Sequence, residues 1–413
     1  MKAVHCRICL ATGLTPVLDY GRVALSDSFL AGREEARKEK KFPLKLCICP
    51  HCRHLQIDEI VDPRLLFAHY PWETGISKSV LCFAQELYQT AIRFYRLLPA
   101  EQAPKVLEIA SNDGSVLSVF QKNGCEVLGI DPAENIVQIA NGRGIRSLPE
   151  FFDLNCAKAV VSEYGQWDIG LARNVLAHVK DLHGLAEGIR TILNREGFVI
   201  IEVPHLKTMF RELQYDQVFH EHLGYHSLDS VQKLFFGHGM EIFDVEEVWI
   251  HGGSIRVFLQ HEGGPRPVGE NVRRVLEEEK KLGLYREEAW GRFARRAAAH
   301  RDALRGELKK LKGDQRKIAV YGASGKGQSL LQFCGLDGRL IDYVVDKSAM
   351  KQNKWTPGTH LPIFSPARLY EERPDVVLLC AWNFAKEIVE QEKRFVEEGG
   401  RFLHPFPMPH YLP

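Results

Sequence analysis

Nine consecutive residues, FHEHLGYHS from Phe219 to Ser227, hold His220, Glu221, His222 and His226. Metal ligation, proton transfer and plain packing compete as explanations. A zinc-hydrolase helix needs H-E-x-x-H, which puts both ligands on one helical face. Here Gly224 stands where the second histidine belongs, and no glutamate fills the frame between His222 and His226. Gly224 also weakens any helix at this point, so the spacing argues against a metal. His220 and His226 are each compatible with packing. Histidine titrates near neutral pH and a neighbouring carboxylate can orient its ring, so the Glu221-His222 pair suits acid/base chemistry.

A second chemical cluster lies at the start of the chain. Five of the ten cysteines, Cys6, Cys9, Cys47, Cys49 and Cys52, fall within the first 52 residues. CRIC and CPHC form two C-x2-C hooks, and four thiolates so arranged close a tetrahedral zinc shell. Cys6, Cys9, Cys49 and Cys52 are the expected ligands, with Cys47 as an alternative beside the second hook. A closed four-thiolate shell leaves no position for substrate, so this zinc is expected to be structural.

The elements that carry these residues follow from composition and pattern. A chain of 413 residues exceeds one ordinary core and predicts two or three domains. With 54 Lys+Arg against 53 Asp+Glu, the formal charge of +1 gives no global field for nucleic acid or an anionic membrane. No export signal and no apolar run of membrane-spanning length is present, so a cytoplasmic protein is expected. SVLCFAQELYQTAIRFYRLL reads as one amphipathic helix. KVLEIASNDGSVL, ending in a second strand EVLGID, reads as the first half of a βαβ nucleotide-binding unit. WDIGLARNVLAHV and GFVIIEVPHL read as further buried parallel strands. The charged, proline-free run from Asn271 to Lys312 reads as a solvated helical connector. KIAVYGASGKGQSLL then opens a second strand, glycine loop and helix. The fold class is α/β: a zinc-binding segment over residues 1–70, a doubly wound sheet over 71–270, the connector over 271–312 and a smaller Rossmann-like layer over 313–413.

The first glycine loop lacks the G-x-G-x-x-G that a dinucleotide pyrophosphate requires, which argues against NAD. It offers Glu108-x-Ala110-x-Asn112-x-Gly114 instead, and this resembles the loop of S-adenosylmethionine (SAM) methyltransferases. Asp131, closing the second strand, is placed to accept hydrogen bonds from ribose hydroxyls. In the second loop, Gly322, Gly325 and Gly327 fail both the Walker A and the dinucleotide spacing. Exposed N-H groups at a helix start, with Lys326, suit a phosphate, and a tight strand-to-helix turn is the bland alternative.

Taken in order, CRIC and CPHC, LEIASNDGSVL, GIDPAENI, ARNVLAHV, FVIIEVPHL, FHEHLGYHS, HGGSIRVF, YGASGKGQSLL, the DKS to PGTHLPI segment and LLCAWNF cover nearly the whole chain. In them the chain resembles the sugar C-methyltransferases that act on nucleotide-linked 4-keto deoxysugars. The resemblance implies a zinc-binding N-terminal domain, a central SAM domain and a C-terminal Rossmann-like domain, with the nucleotide sugar between the last two. It implies His222 as general base, Glu221 as its partner and His178 as stabiliser of an enolate oxygen. It places the cofactor at Glu108, Ala110, Asn112, Gly114, Asp131 and Asn174. Phe219, His251, Gly253, Ser254, Arg256 and Lys326 fall toward the acceptor. Members of the family commonly carry Tyr where this chain has Phe219, so a hydroxyl that would contact sugar or enolate is missing and the acceptor sugar is left undefined. O- or N-methylation of another metabolite, and nucleotide-sugar binding without turnover, are the alternative functions. No nucleic-acid or membrane partner is expected.

Overall fold

The computed structural model describes residues 5–62, 66, 78–99 and 102–413. At the N-terminus, β1 (Thr15–Ala24), β2 (Lys41–Ile48) and β3 (Leu55–Ile57) form an antiparallel meander. Its inward side chains, among them Leu44, Leu46, Leu55 and Ile57, are buried.

The central sheet begins with β4 (Lys105–Ile109) and β5 (Glu126–Ile130), followed by β6 (Ser147–Leu148), β7 (Trp167–Arg173) and β8 (Leu193–Pro204). The near-continuous apolar runs of β4, β5 and β8 are what a parallel sheet covered on both faces requires. All five strands are parallel. After β8 the chain makes β9 (Gly224–Tyr225), which pairs with β3 and so joins the N-terminal sheet as its fourth strand. It then adds the hairpin β10 (Met240–Val248) and β11 (Ser254–His261) to the central sheet. The order is β10-β11-β8-β7-β4-β5-β6, with β11 antiparallel to both neighbours. The expected amphipathic helix spans Lys78–Tyr95 and packs Leu87, Ala91 and Phe94 on one face of this sheet. There Phe94, Phe198, Phe243 and Phe258 form an aromatic core over which Arg266 lies, 4.5 Å from the Phe198 ring centre.

The C-terminal sheet contains β12 (Ile318–Tyr321), β13 (Tyr343–Val345), β14 (Ile363–Phe364), β15 (Val376–Leu379), β16 (Arg401–His404) and β17 (His410–Tyr411), in the order β14-β13-β12-β15-β16-β17. Only β17 is antiparallel, so the layer is Rossmann-like. The connector is two helices, Glu270–Leu282 and Glu287–Gly313. Contrary to the sequence reading, it is not solvated all round. Trp290, Phe293, Ala297, Leu304, Leu308 and Leu311 make a stripe at helical spacing buried against the C-terminal layer. The abundant Arg and Glu of the outer face masked that stripe in the sequence. Glu279 is fully buried at the other helix, where its carboxylate accepts from Leu228 N (2.7 Å) and binds His205 Nε2 (2.8 Å) and Tyr285 Oη (2.5 Å).

Candidate functional site

The two cysteine hooks fold alike. In each, the first cysteine's carbonyl accepts from the residue four positions on, Leu10 N (3.0 Å) and Arg53 N (3.1 Å). Its amide donates five positions on, to Ala11 O (2.8 Å) and His54 O (2.9 Å). Leu10 and Arg53, each following the second cysteine, both take left-handed backbone with φ of 59° and 65°. The amides of Ile8 and His51 point at Cys6 Sγ and Cys49 Sγ, each at 3.4 Å, which stabilises thiolates. The four Sγ atoms of Cys6, Cys9, Cys49 and Cys52 lie within 4.8 Å of one another, with Cys6 and Cys52 at 3.4 Å and Cys9 and Cys49 at 3.5 Å. A tetrahedral zinc-thiolate shell sets sulfurs about 3.8 Å apart, so the set fits zinc. Cys47 is buried within β2 and stands outside this cluster. Substituting Cys52→Ser is expected to drop bound zinc from one per chain to substoichiometric and to lower the thermal midpoint. Elemental analysis and a melt check this, and full zinc with an unchanged melt excludes the assignment.

The loop expected to meet the cofactor follows β4. Ala110, Asn112 and Gly114 all have left-handed backbone, with φ of 54°, 51° and 73°. Glycine is required at the last of them: a Cβ on Gly114 would sit 2.9 Å from Ile145 side-chain atoms. Asp131, at the end of β5, accepts from Asn112 N (3.0 Å) and Ala133 N (2.9 Å), which orients its carboxylate at the loop. Burial raises its pKa above the usual carboxylate value, against the two amides that lower it. Asn174, at φ 54°, donates its amide to Glu202 O at 2.7 Å.

Beside this loop runs a row of charges that sequence reading missed. Glu108 on β4 accepts from Arg173 Nε on β7 at 2.9 Å. Arg173 lies opposite Glu202 on β8, which lies opposite Arg256 on β11. Arg256 Nε donates to Glu202 at 2.7 Å. Acid and base thus alternate across four neighbouring strands in a buried layer. Burial pushes the Glu108 carboxyl up to about 7 while Arg173 opposes the shift. Glu108 Oε2 has no hydrogen bond among the described residues, which fits a ligand that donates to it. Arg256, expected near the acceptor, is committed to Glu202. The available sequence signal was one charged residue inside each otherwise apolar strand, Glu202 in FVIIEVP and Arg173 in GLAR.

The histidine stretch is loop and short strand, with no helix between His220 and His226. His222 Nδ1 contacts Gln217 O at 2.9 Å, and a carbonyl can only accept, so Nδ1 carries the proton. The His222 ring stands edge-on to His178, centroids 4.9 Å apart, and lies 4.1 Å from the Phe219 ring. His222 lines an apolar cavity with Ala177, Val203, Met209, Gln217, Gly224 and Tyr225. Burial lowers His178 to about 4, so it is neutral at physiological pH. Glu221 was expected to orient His222, and at Nδ1 the partner is a main-chain carbonyl. The Gln217 carbonyl holds His222 Nδ1, while burial and the adjacent Asp27 push the Glu221 carboxyl well above its ordinary value. His220 bonds Pro43 O at 3.0 Å, a packing role.

The second glycine loop closes over this cluster. A Cβ on Gly325 would lie 3.1 Å from the Phe219 ring and 3.5 Å from Asp27 Oδ2. Ser324 caps the helix Gly325–Cys334 by accepting from Gly327 N at 3.2 Å. Gly322, at φ 101°, makes the preceding turn. Lys326 lies 5.4 Å from the Trp382 ring centre, and burial lowers its ammonium to about 8 while Asp216 opposes the shift. Asp216 accepts from Trp382 Nε1 at 2.6 Å, and burial raises it to about 6. The HGGS turn abuts the same tryptophan: a Cβ on Gly252 would meet the Trp382 ring at 2.6 Å. Gly253 offers its carbonyl to His205 N at 3.1 Å, and Ser254 Oγ donates to Ile250 O at 3.1 Å. The His251 side chain lies outside the described residues. Phe219, Glu221, His222, His178 and the second loop therefore converge; Trp382 joins them from the LLCAWNF segment, and Asp27, Gln217 and Asp216 from segments that carry no motif.

A seven-stranded sheet of this order, with an acid at the end of each of its first two parallel strands and a loop of alternating left-handed residues, defines the chain as a SAM-dependent methyltransferase carrying a zinc hook. A C-methyltransferase C-terminal domain matches residues 249–407, a zinc binding domain residues 6–67 and a methyltransferase domain residues 83–245. The C-methyltransferase NovU of Streptomyces niveus is 33% identical over 408 residues, 99% of this chain and 96% of that protein. The chain belongs to this C-methyltransferase family. Among solved structures, the CcbJ methyltransferase of Streptomyces caelestis is 14% identical, covering 43% of this chain and 89% of its own, with a TM-score of 0.34. A SAM-dependent methyltransferase of Mesorhizobium loti is 15% identical over 44% of this chain and 100% of its own, also with a TM-score of 0.34. Among the described residues, no helix is long and apolar enough to cross a membrane.

Proposed function

We propose that the chain methylates a carbon of a nucleotide-linked keto-deoxysugar, with His222 as the general base. The observation that carries the reading is the fixed His222 tautomer at an apolar cavity. Nδ1 is held by the Gln217 carbonyl, so Nε2 is the basic nitrogen. An ordinary C-H carbon has no lone pair to offer a methyl donor, whereas a carbon next to a ketone can lose its proton. His222 Nε2 takes that proton and the electron pair moves into the enolate. His178, whose ring stands edge-on to His222, is assigned to the enolate oxygen, toward which its one N-H would turn from the Glu221 carbonyl it now meets. SAM, when bound, supplies a methyl on a sulfonium. The enolate carbon would take that methyl, with the electron pair of the broken methyl-sulfur bond leaving on sulfur and the ketone restored. His222 then gives its proton to solvent.

Glu108, Ala110, Asn112, Gly114, Asp131 and Asn174 are assigned to the cofactor, and the loop with Lys326 to the phosphates of the nucleotide. The loop's closeness to Phe219 supports a sugar lying between the two glycine loops. Glu221 beside Asp27 is assigned as a protonated carboxyl facing that sugar.

Incubating the purified protein with SAM and a panel of nucleotide-linked 4-ketosugars is expected to add one methyl to at least one member by mass spectrometry, on carbon by NMR. No methyl gained by any member, with SAM bound by calorimetry, overturns the acceptor class. A methyl found on oxygen overturns the mechanism.

A further inference from the structure

Arg7 lies between the two cysteines of the first hook, yet its side chain leaves the zinc site. Its guanidinium is buried, and Nη1 donates to Leu223 O at 2.5 Å and to Ile57 O at 3.3 Å. Its main-chain amide is fixed in turn, donating to Gln56 Oε1 at 2.8 Å, and Gln56 Nε2 donates to His5 O at 3.1 Å. Among the described residues Arg7 Nε and Nη2 have no hydrogen-bond partner, so the guanidinium is held through Nη1 alone. A buried guanidinium that leaves two of its nitrogens unbonded is costly, so packing alone is a poor reason for one here.

What it holds is the peptide of Leu223. That carbonyl also accepts from Ile57 N at 3.2 Å, and on the other side Leu223 N donates to Ala177 O at 2.6 Å. Gly224 N reaches the same Ala177 oxygen at 3.2 Å. Leu223 follows His222 directly, and Ala177 precedes His178 directly. One peptide therefore joins the zinc hook to both histidines, whose ring centroids are 4.9 Å apart. We propose that Arg7 is a positioning residue: it carries the rigidity of the zinc hook through the Leu223 carbonyl to the relative placement of His222 and His178. The inference rests on His222 acting as the base. It assigns the zinc hook a part in catalysis that touches no substrate.

The test compares Arg7→Met, Arg7→Lys and His222→Asn in the full-length, zinc-loaded protein. Misplacing a reacting group by about 1 Å costs up to about a hundredfold in rate. Arg7→Met is expected to lower kcat at least roughly tenfold, while KM for the keto sugar, SAM affinity and one zinc per chain are retained. Lysine keeps one donor for the Leu223 carbonyl and is expected to restore part of kcat at the same KM. If the Met variant yields no soluble protein, Arg7→Gln, whose shorter side chain falls short of the Leu223 carbonyl, decides: reduced kcat at unchanged KM supports the role, and wild-type kcat overturns it. Parallel losses of zinc, SAM affinity and kcat also overturn it, since they report a merely structural residue. His222→Asn separates the two levels. If it stays active, the base assignment falls. If it is dead while Arg7→Met matches wild type, only the role of Arg7 falls.

Discussion

Replacing His222 by Asn is expected to stop deuterium exchange at the acceptor carbon in the absence of SAM, and to lower methyl transfer by about a hundredfold to ten-thousandfold. Asparagine keeps a polar side chain of similar reach, and the Gln217 carbonyl can still accept from its amide, so the loop is preserved. What it lacks is a nitrogen that accepts a proton near neutral pH. Exchange is followed by NMR in deuterated buffer with the nucleotide sugar alone, which isolates the proton step from the methyl step. His178→Gln is expected to slow both steps less, because it removes a donor to the enolate but leaves the base. Exchange at the wild-type rate in His222→Asn would transfer the role of base to another group at the site.

The second large effect is on stability. Glu202→Ala is expected to cost about 3–5 kcal/mol, because it leaves Arg256 buried without its partner and takes the middle acid from a row of alternating charges. A drop in the thermal midpoint of more than about 5 °C checks this. The combined change Glu202→Ala with Arg256→Met removes both charges, and is expected to recover much of the loss, since a buried pair is far less costly to delete whole than to halve. A single variant that melts with wild type would show that the row is solvated enough to tolerate an odd charge. Because Glu108 is tied to the row through Arg173, the Glu202 variant is also expected to bind SAM more weakly.

Much of this was written locally. The zinc ligands follow from two hooks of equal spacing, and their matched turns follow from the short loop each hook must close. The β4 loop and Asp131 follow from a strand whose apolar run stops at small residues and an acid. The histidine stretch announced proton chemistry because three imidazoles beside a glutamate, with a glycine in the wrong place for a helix, leave metal ligation poorly served. The identity of the base among those residues came from resemblance, and its geometry supports it.

Other features depend on which segments meet, and no local pattern encodes that. Glu221 was expected to orient His222 because the two are neighbours in sequence. In the loop the Gln217 carbonyl takes that place, and Glu221 faces Asp27 from a segment nearly two hundred residues earlier. Arg256 looked like a substrate contact until strand order set it beside Glu202. The buried stripe of Glu287–Gly313 was hidden among charges, since one apolar face is enough for burial. Short-range order fixes ligand spacing and backbone turns, because these are set within a few residues by φ and ψ. Which carbonyl an arginine reaches, or which acid meets which base, is decided only when β9 returns to pair with β3 and the strands take their register.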